Sequence, residues 1–175
     1  MLAQKLKSGD ATPQDIAGVE EIFSRKDCHL GKNLVVPYIK YVENLDLSLL
    51  IDFSEYCKDE YIISETINCL KYRGVRSDNY KNFVLKYCHI SDSFSDDEVL
   101  ISALGALSLF DGDSVEIRKS LKDCFKLGND NIRDQVVWVA QLIMKIPEER
   151  RISPDWDGNL YQIVDSSVRK WIDSL

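Results

Sequence analysis

The chain has 175 residues, 45% of them hydrophobic and 29% charged, and a formal net charge of −7. That length falls within one domain of ordinary size, ~50–250 residues, and the composition excludes wholesale disorder. The acidity disfavours a phosphate backbone as direct ligand, because Lys and Arg supply most non-specific nucleic-acid affinity.

In chain order, the first expected helix covers about 13 to 28, with Thr12 as cap, Pro13 in the first turn and Ile16, Val19, Ile22 and Phe23 on one stripe. Gly31 is expected to end it. A second helix is read over about 33 to 45 and a third over about 47 to 58, with Asp46 as the cap between them. The next pair covers about 60 to 73 and 78 to 90, separated by Gly74 and Ser77-Asp78. A further pair covers about 96 to 110 and 114 to 127, split by the turn Asp111-Gly112-Asp113. The last pair is about 130 to 146 and 157 to 174. Gly and Pro are sparse, at 8 and 4, and period-two alternation is scarce, so strands are not expected. The sum is about nine helices in one helical-repeat domain, 1–175.

Segment Val99–Leu107 is apolar nearly all round, so it must be buried on several sides, and Ala103, Gly105 and Ala106 would admit close neighbours. Trp171 lies on a stripe with Leu160, Ile163, Val164, Val168 and Ile172 that would cover the open end of a helical stack. Tyr41, Tyr80 and Tyr87 sit at apolar spacings and read as core; Tyr56 and Tyr61, near a junction between units, read as interface residues.

Four of the five cysteines, Cys28, Cys57, Cys88 and Cys124, each follow a charged residue and one spacer, at intervals of 29, 31 and 36. Self-similarity over roughly 20–50 residues is the signature of stacked helical units. Each cysteine reads as a small apolar residue where one unit closes on the next. An odd number spread singly fits reduced thiols better than a disulfide framework. Metal ligation by Cys28-His29 and Cys88-His89 is disfavoured, because adjacent helical residues do not face one point.

Only two histidines are present, and no HExxH, GxSxG, GxxxxGK[ST] or GxGxxG pattern occurs. The expectation is therefore no catalytic residues, no metal and no cofactor. Asp92, Asp96, Asp97 and Glu98 read as a helix N-terminal cluster, where negative charge is favourable. Met1–Ser8 lacks a continuous apolar run, and nowhere do ~18 apolar residues run together, so a cytoplasmic protein without membrane contact is expected.

Asn131-Ile132-Arg133 opening a helix with Val136, Val139 and Ala140, together with Val99–Leu107, resembles the HEAT-like and armadillo-like α-solenoid families. The resemblance covers about residues 33 to 146, and most first helices lack the family's proline and basic residue. It implies an all-α, right-handed α-α superhelix of about four helical pairs plus an N-terminal helix. In such a stack three polar stripes would lie side by side: Ser48, Asp52, Glu55 and Asp59; Asn79, Asn82, Lys86 and His89; Glu116, Lys119 and Asp123.

The charge is lopsided, with net −1 over residues 1–90 and net −6 over residues 91–175. Such a field attracts basic protein partners and speeds their encounter. A small acidic chain without catalytic motifs is similar to bacterial immunity proteins of contact-dependent inhibition. That resemblance implies a non-catalytic antitoxin, monomeric when free, that binds a basic, nuclease-type toxin domain. The alternatives are a HEAT-like scaffold or adaptor and, against the charge, a nucleic-acid-binding protein akin to HEAT-like DNA glycosylases. Candidate partner-binding residues are Asp52, Glu55, Tyr56, Asp59, Asn82, Lys86, His89, Asp96, Asp97, Asp111, Asp113 and Glu116.

Overall fold

The computed structural model describes residues 1–89, 97–112, 114–153 and 159–175. Among these residues every regular element is helical: twelve α-helices and one 3₁₀ turn, with no strand. None of the helices is long and apolar enough to cross a membrane. The chain divides into two compact units, Met1–Tyr80 and Lys81–Leu175.

In the first unit, α1 (Leu2–Ser8) ends at Gly9, whose φ of 78° is the left-handed conformation that closes a helix C-terminus. α2 (Pro13–Ser24) begins as its sequence predicts. The Thr12 hydroxyl accepts from the Asp15 amide at 3.2 Å and the Asp15 carboxylate accepts from the Thr12 amide at 3.0 Å, a reciprocal capping box. α2 stops at Ser24, earlier than expected, because Lys26 turns into the left-handed region (φ 57°). The short α3 (Cys28–Gly31) follows, capped by Asp27 on the Leu30 amide, and then α4 (Val35–Tyr41). α5 (Leu47–Cys57) is capped by Asp46 as expected, at 2.9 Å from the Leu49 amide, and α6 (Glu60–Tyr72) by Asp59.

α4 packs on α1 and α6, and α5 packs on α2 and α6. Their shared core holds Val19, Phe23, Tyr38, Ile39, Leu50, Phe53, Ile62, Ile63, Ile67 and Leu70, all buried. Each such side chain contributes on the order of 1.5–3 kcal/mol of transfer free energy. Phe23 is the hub, 4.6 Å from the Phe53 ring and edge-on to Tyr38 at 5.2 Å. Buried polar groups are satisfied: the Ser54 and Thr66 hydroxyls lie 2.8 Å apart, and the Tyr80 hydroxyl donates to the Ile67 carbonyl at 2.7 Å.

α7 (Asp78–Tyr87) leads into the second unit, which continues with α8 (Glu98–Leu107), α9 (Val115–Leu127) and α10 (Asp130–Ile143). A 3₁₀ turn (Glu148–Arg150), α11 (Leu160–Ile163) and α12 (Ser166–Asp173) complete it. α10 is its centre, in contact with α8, α9, α11 and α12. α8 is buried at Val99, Leu100 and from Ser102 through Leu107, as its apolar circumference requires. The stretch after α10 is pinned by the buried Gln141 amide, which donates to the Ile152 carbonyl at 3.1 Å and accepts from its amide at 2.9 Å.

Several expectations are corrected. The single helix expected over 157 to 174 is broken at Val164, and Asp165 starts α12 by accepting from the Ser167 amide. Leu160, Val164, Val168 and Ile172 do cover Val137 and Ala140 of α10, with Trp171 packed beside them, but Ile163 is 46% exposed. Tyr41 is 52% exposed, because α4 ends there and Val42 is extended, whereas Tyr80 and Tyr87 are core as expected.

The largest correction concerns the cysteines. Cys28 and Cys57 form a disulfide between the start of α3 and the end of α5, with a Cα–Cα distance of 5.6 Å, within the range a disulfide bridges. Cys69, Cys88 and Cys124 are free and buried, so the small-apolar reading describes Cys88 and Cys124 but not the first two.

Candidate binding surface

In the first unit the α5 stripe is outward. Asp52 is exposed, Glu55 is half-buried and Tyr56, one residue before the disulfide, is 56% exposed. Asp59 is committed locally: its carboxylate accepts from the Ile62 amide at 3.1 Å and pairs with Lys32 Nζ at 2.9 Å. Burial alone would push the Asp59 carboxyl up, but Lys32 and the backbone amides outweigh it and hold the group lowered.

Two lysines also lie over the exposed tyrosines of this surface. Lys26 Nζ is 4.6 Å from the centre of the Tyr56 ring and Lys32 Nζ is 5.1 Å from that of Tyr61. The stripe is therefore acidic at Asp52 and mixed lysine–tyrosine at its C-terminal end. At the other end, Asn79 Nδ2 donates to Ser48 Oγ at 3.3 Å, which joins the first turn of α7 to the start of α5.

In the second unit Asn82, Lys86 and His89 are exposed on α7 and just beyond it, and Glu116 is exposed on the first turn of α9. Lys81 Nζ donates to Ser114 Oγ at 3.3 Å, and Cys124 Sγ lies 3.8 Å from the Cys88 carbonyl oxygen. Glu116 takes the Ser114 hydroxyl at 2.5 Å, which with its backbone contact and Lys81 lowers its carboxyl. Asp97 stands at the N-cap position of α8, yet its carboxylate accepts from Asn129 Nδ2 at 2.7 Å rather than from an α8 amide. Asp111 is exposed in the turn that its carbonyl closes with the Ser114 amide. Asp92, Asp96, Asp113 and Trp156 lie outside the described residues.

Each unit carries a concavity on its described surface. One, of about 440 Å³, lies in the first unit between Pro13, Ile16 and Glu20 of α2 and Tyr41, Val42 and Glu43. The other, of about 330 Å³, lies in the second unit among Phe125, Arg133, Asp134 and Tyr161. There Asp134 accepts from the Leu160 amide at 3.0 Å; burial is the main cause of its raised pKa, and Asp130 adds to it. No group of three or more His, Cys, Asp or Glu side chains converges as a metal site among the described residues.

Sequence reasoning missed the disulfide and the lysine–tyrosine contacts. Both join residues about thirty positions apart in different segments, so no local periodicity signals them. No family model, curated protein or solved structure matches the chain.

Proposed function

We propose that this chain is a non-catalytic protein-binding module, most concretely an antitoxin or immunity protein that neutralises a basic, nuclease-type toxin domain. The observation that carries the reading is charge: net −7 overall, net −6 within residues 91–175, with carboxylates such as Asp52, Asp111 and Glu116 on exposed surface. An acidic surface complements a nucleic-acid-binding one, since both the toxin's substrate and this chain present anions to it. The finer architecture we propose is the HEAT-like right-handed superhelix. It predicts a radius of gyration in small-angle scattering above the ~16 Å of a compact 175-residue domain.

Lys32 pairs with Asp59, and Asp52 is the exposed carboxylate of the α5 stripe. The test is affinity purification with the full chain, mass spectrometry, and calorimetry on any stoichiometric partner. A basic partner whose affinity falls with salt, and falls about tenfold or more on Asp52→Arg/Glu55→Arg, supports the reading. Recovery of chaperones alone counts against any tight partner. A neutral or acidic partner within a larger assembly moves the assignment to a HEAT-like adaptor.

A further inference from the structure

We propose that the Cys28–Cys57 pair is a thiol–disulfide exchange site for dithiol reductants, and that its state sets whether the Lys26–Tyr56 corner of the first unit is assembled. This does not depend on the identity of the protein partner.

The five cysteines fall into two chemical classes. Cys69, Cys88 and Cys124 are 4%, 3% and 0% exposed. Burial is the main cause that pushes their thiols up, to about 11 for Cys69 and Cys124 and well above the ordinary value for Cys88. Thiols held protonated in the core neither attack nor leave readily. Cys28 and Cys57, in contrast, are only half-buried and are joined at the surface. Cys28 stands between Asp27 and exposed His29, with exposed Lys26 two residues before it, and exposed Lys58 follows Cys57. The partial exposure of Cys28 and Cys57 separates them from the three core thiols, because exchange requires that an attacking thiolate reach a sulfur of the pair.

The backbone turns sharply beside both cysteines of the pair. Lys26 and Lys58 both occupy the left-handed region, at φ 57° and 51°. Residues other than Gly pay for that conformation, and it persists where the surroundings over-determine it. Here Lys26 follows the end of α2, Lys58 ends α5, and the disulfide lies between them with Lys26 Nζ seated on the Tyr56 ring. Cleaving the bond removes the covalent tie between the two turns, while the left-handed conformation itself is that of a helix end, as at Lys145 (φ 54°) after α10. Cleavage does not remove every contact of α3, because the Asp27 carboxylate still caps the Leu30 amide and Gly31 still packs on the Phe53 ring. The corner can open while the Phe23–Phe53 core stays closed.

The exchange balances without further reagents. A thiolate of the dithiol attacks one sulfur of the pair, forming a mixed disulfide and releasing the other cysteine as a thiolate, which takes up a proton. The reagent's second thiolate then attacks the mixed disulfide, closing the reagent's own disulfide and freeing the second protein thiol. Two electrons pass to the protein sulfurs, and the dithiol is oxidised.

The full chain is equilibrated in graded mixtures of reduced and oxidised dithiothreitol, alkylated without denaturant and mapped by mass spectrometry. Cys28 and Cys57 should become alkylated together while Cys69, Cys88 and Cys124 stay unmodified and the helical circular dichroism is kept. Reduction should lower the thermal midpoint by about 10 °C, from the released 29-residue loop, and shift the Tyr56 ring resonances. The Cys28→Ser/Cys57→Ser variant should show the same lowered midpoint and no response to dithiol. Any of three results overturns the proposal: no alkylation of the pair under reducing mixtures, loss of helical signal on reduction or in the double variant, or labelling of the three buried thiols in step with the pair.

Discussion

Gly31 lies so close to Phe53 that a Cβ on Gly31 would fall 2.2 Å from Cζ of the ring and 2.9 Å from Cε2. The contact seats α3 on α5, and the ring has no room to retreat, because its other neighbour is Phe23 at 4.6 Å. Gly31→Ala should therefore cost about 1–3 kcal/mol through overpacking. Urea unfolding checks it, and an unchanged midpoint would mean that α3 can lift away without loss.

Arg73 closes the C-terminal end of α4. Its Nη1 donates to the carbonyls of Ile39 and Val42, each at 2.6 Å, and its Nη2 donates to that of Glu43 at 3.2 Å. A cation at the negative end of a helix is favourable, and a planar fork spans several carbonyls as an ammonium cannot. Arg73→Ala should destabilise by about 1–2 kcal/mol. Arg73→Lys should recover only part of that in the same unfolding assay.

Asp15 should make the first unit acid-sensitive. Lys5 Nζ at 2.7 Å, together with the Thr12 hydroxyl and amide, lowers its carboxyl from 3.8 to about 2. A depressed folded-state value means that the contribution is complete above the unfolded-state pKa near 4 and is lost as pH falls through about 2. Chemical denaturation at successive pH values should show stability declining across that window. In Asp15→Asn that part of the slope should vanish while stability at neutral pH also drops.

Gln141 is 1% exposed, and its side-chain amide engages the backbone of Ile152 at both ends, the nitrogen donating and the oxygen accepting. Gln141→Leu would leave the Ile152 N–H and carbonyl without their partner. The expected cost is about 1–2 kcal/mol, with faster hydrogen exchange at the Ile152 amide. Retained protection at Ile152 would show that this stretch is held by other contacts.

The helices legible in the sequence were those whose signals are local. Thr12-Pro13 and Asp46 mark real starts because a cap bonds an amide three residues on, within a window that sequence alone displays. Val99–Leu107 is buried because a segment apolar on all sides has no face to give to water. The break before α12 was also written locally, in Asp165-Ser166-Ser167, but the apolar stripe running through Val164 and Val168 masked it. The candidate surface was legible only in part. Asp52, Asn82 and Glu116 are exposed where their stripes predicted, whereas Asp59 and Asp97 have partners on other segments, Lys32 and Asn129.

Composition and periodicity thus determined an acidic, all-helical chain, its main helix starts and most of its buried faces, because hydrophobic spacing and capping act over a few residues. Tertiary structure alone decided that Cys28 meets Cys57, that Tyr41 turns outward while Tyr38 turns in, and that lysines settle on Tyr56 and Tyr61. Those outcomes depend on where separate helices end and how they are laid against one another, and only folding brings residues about thirty positions apart to within a few ångströms.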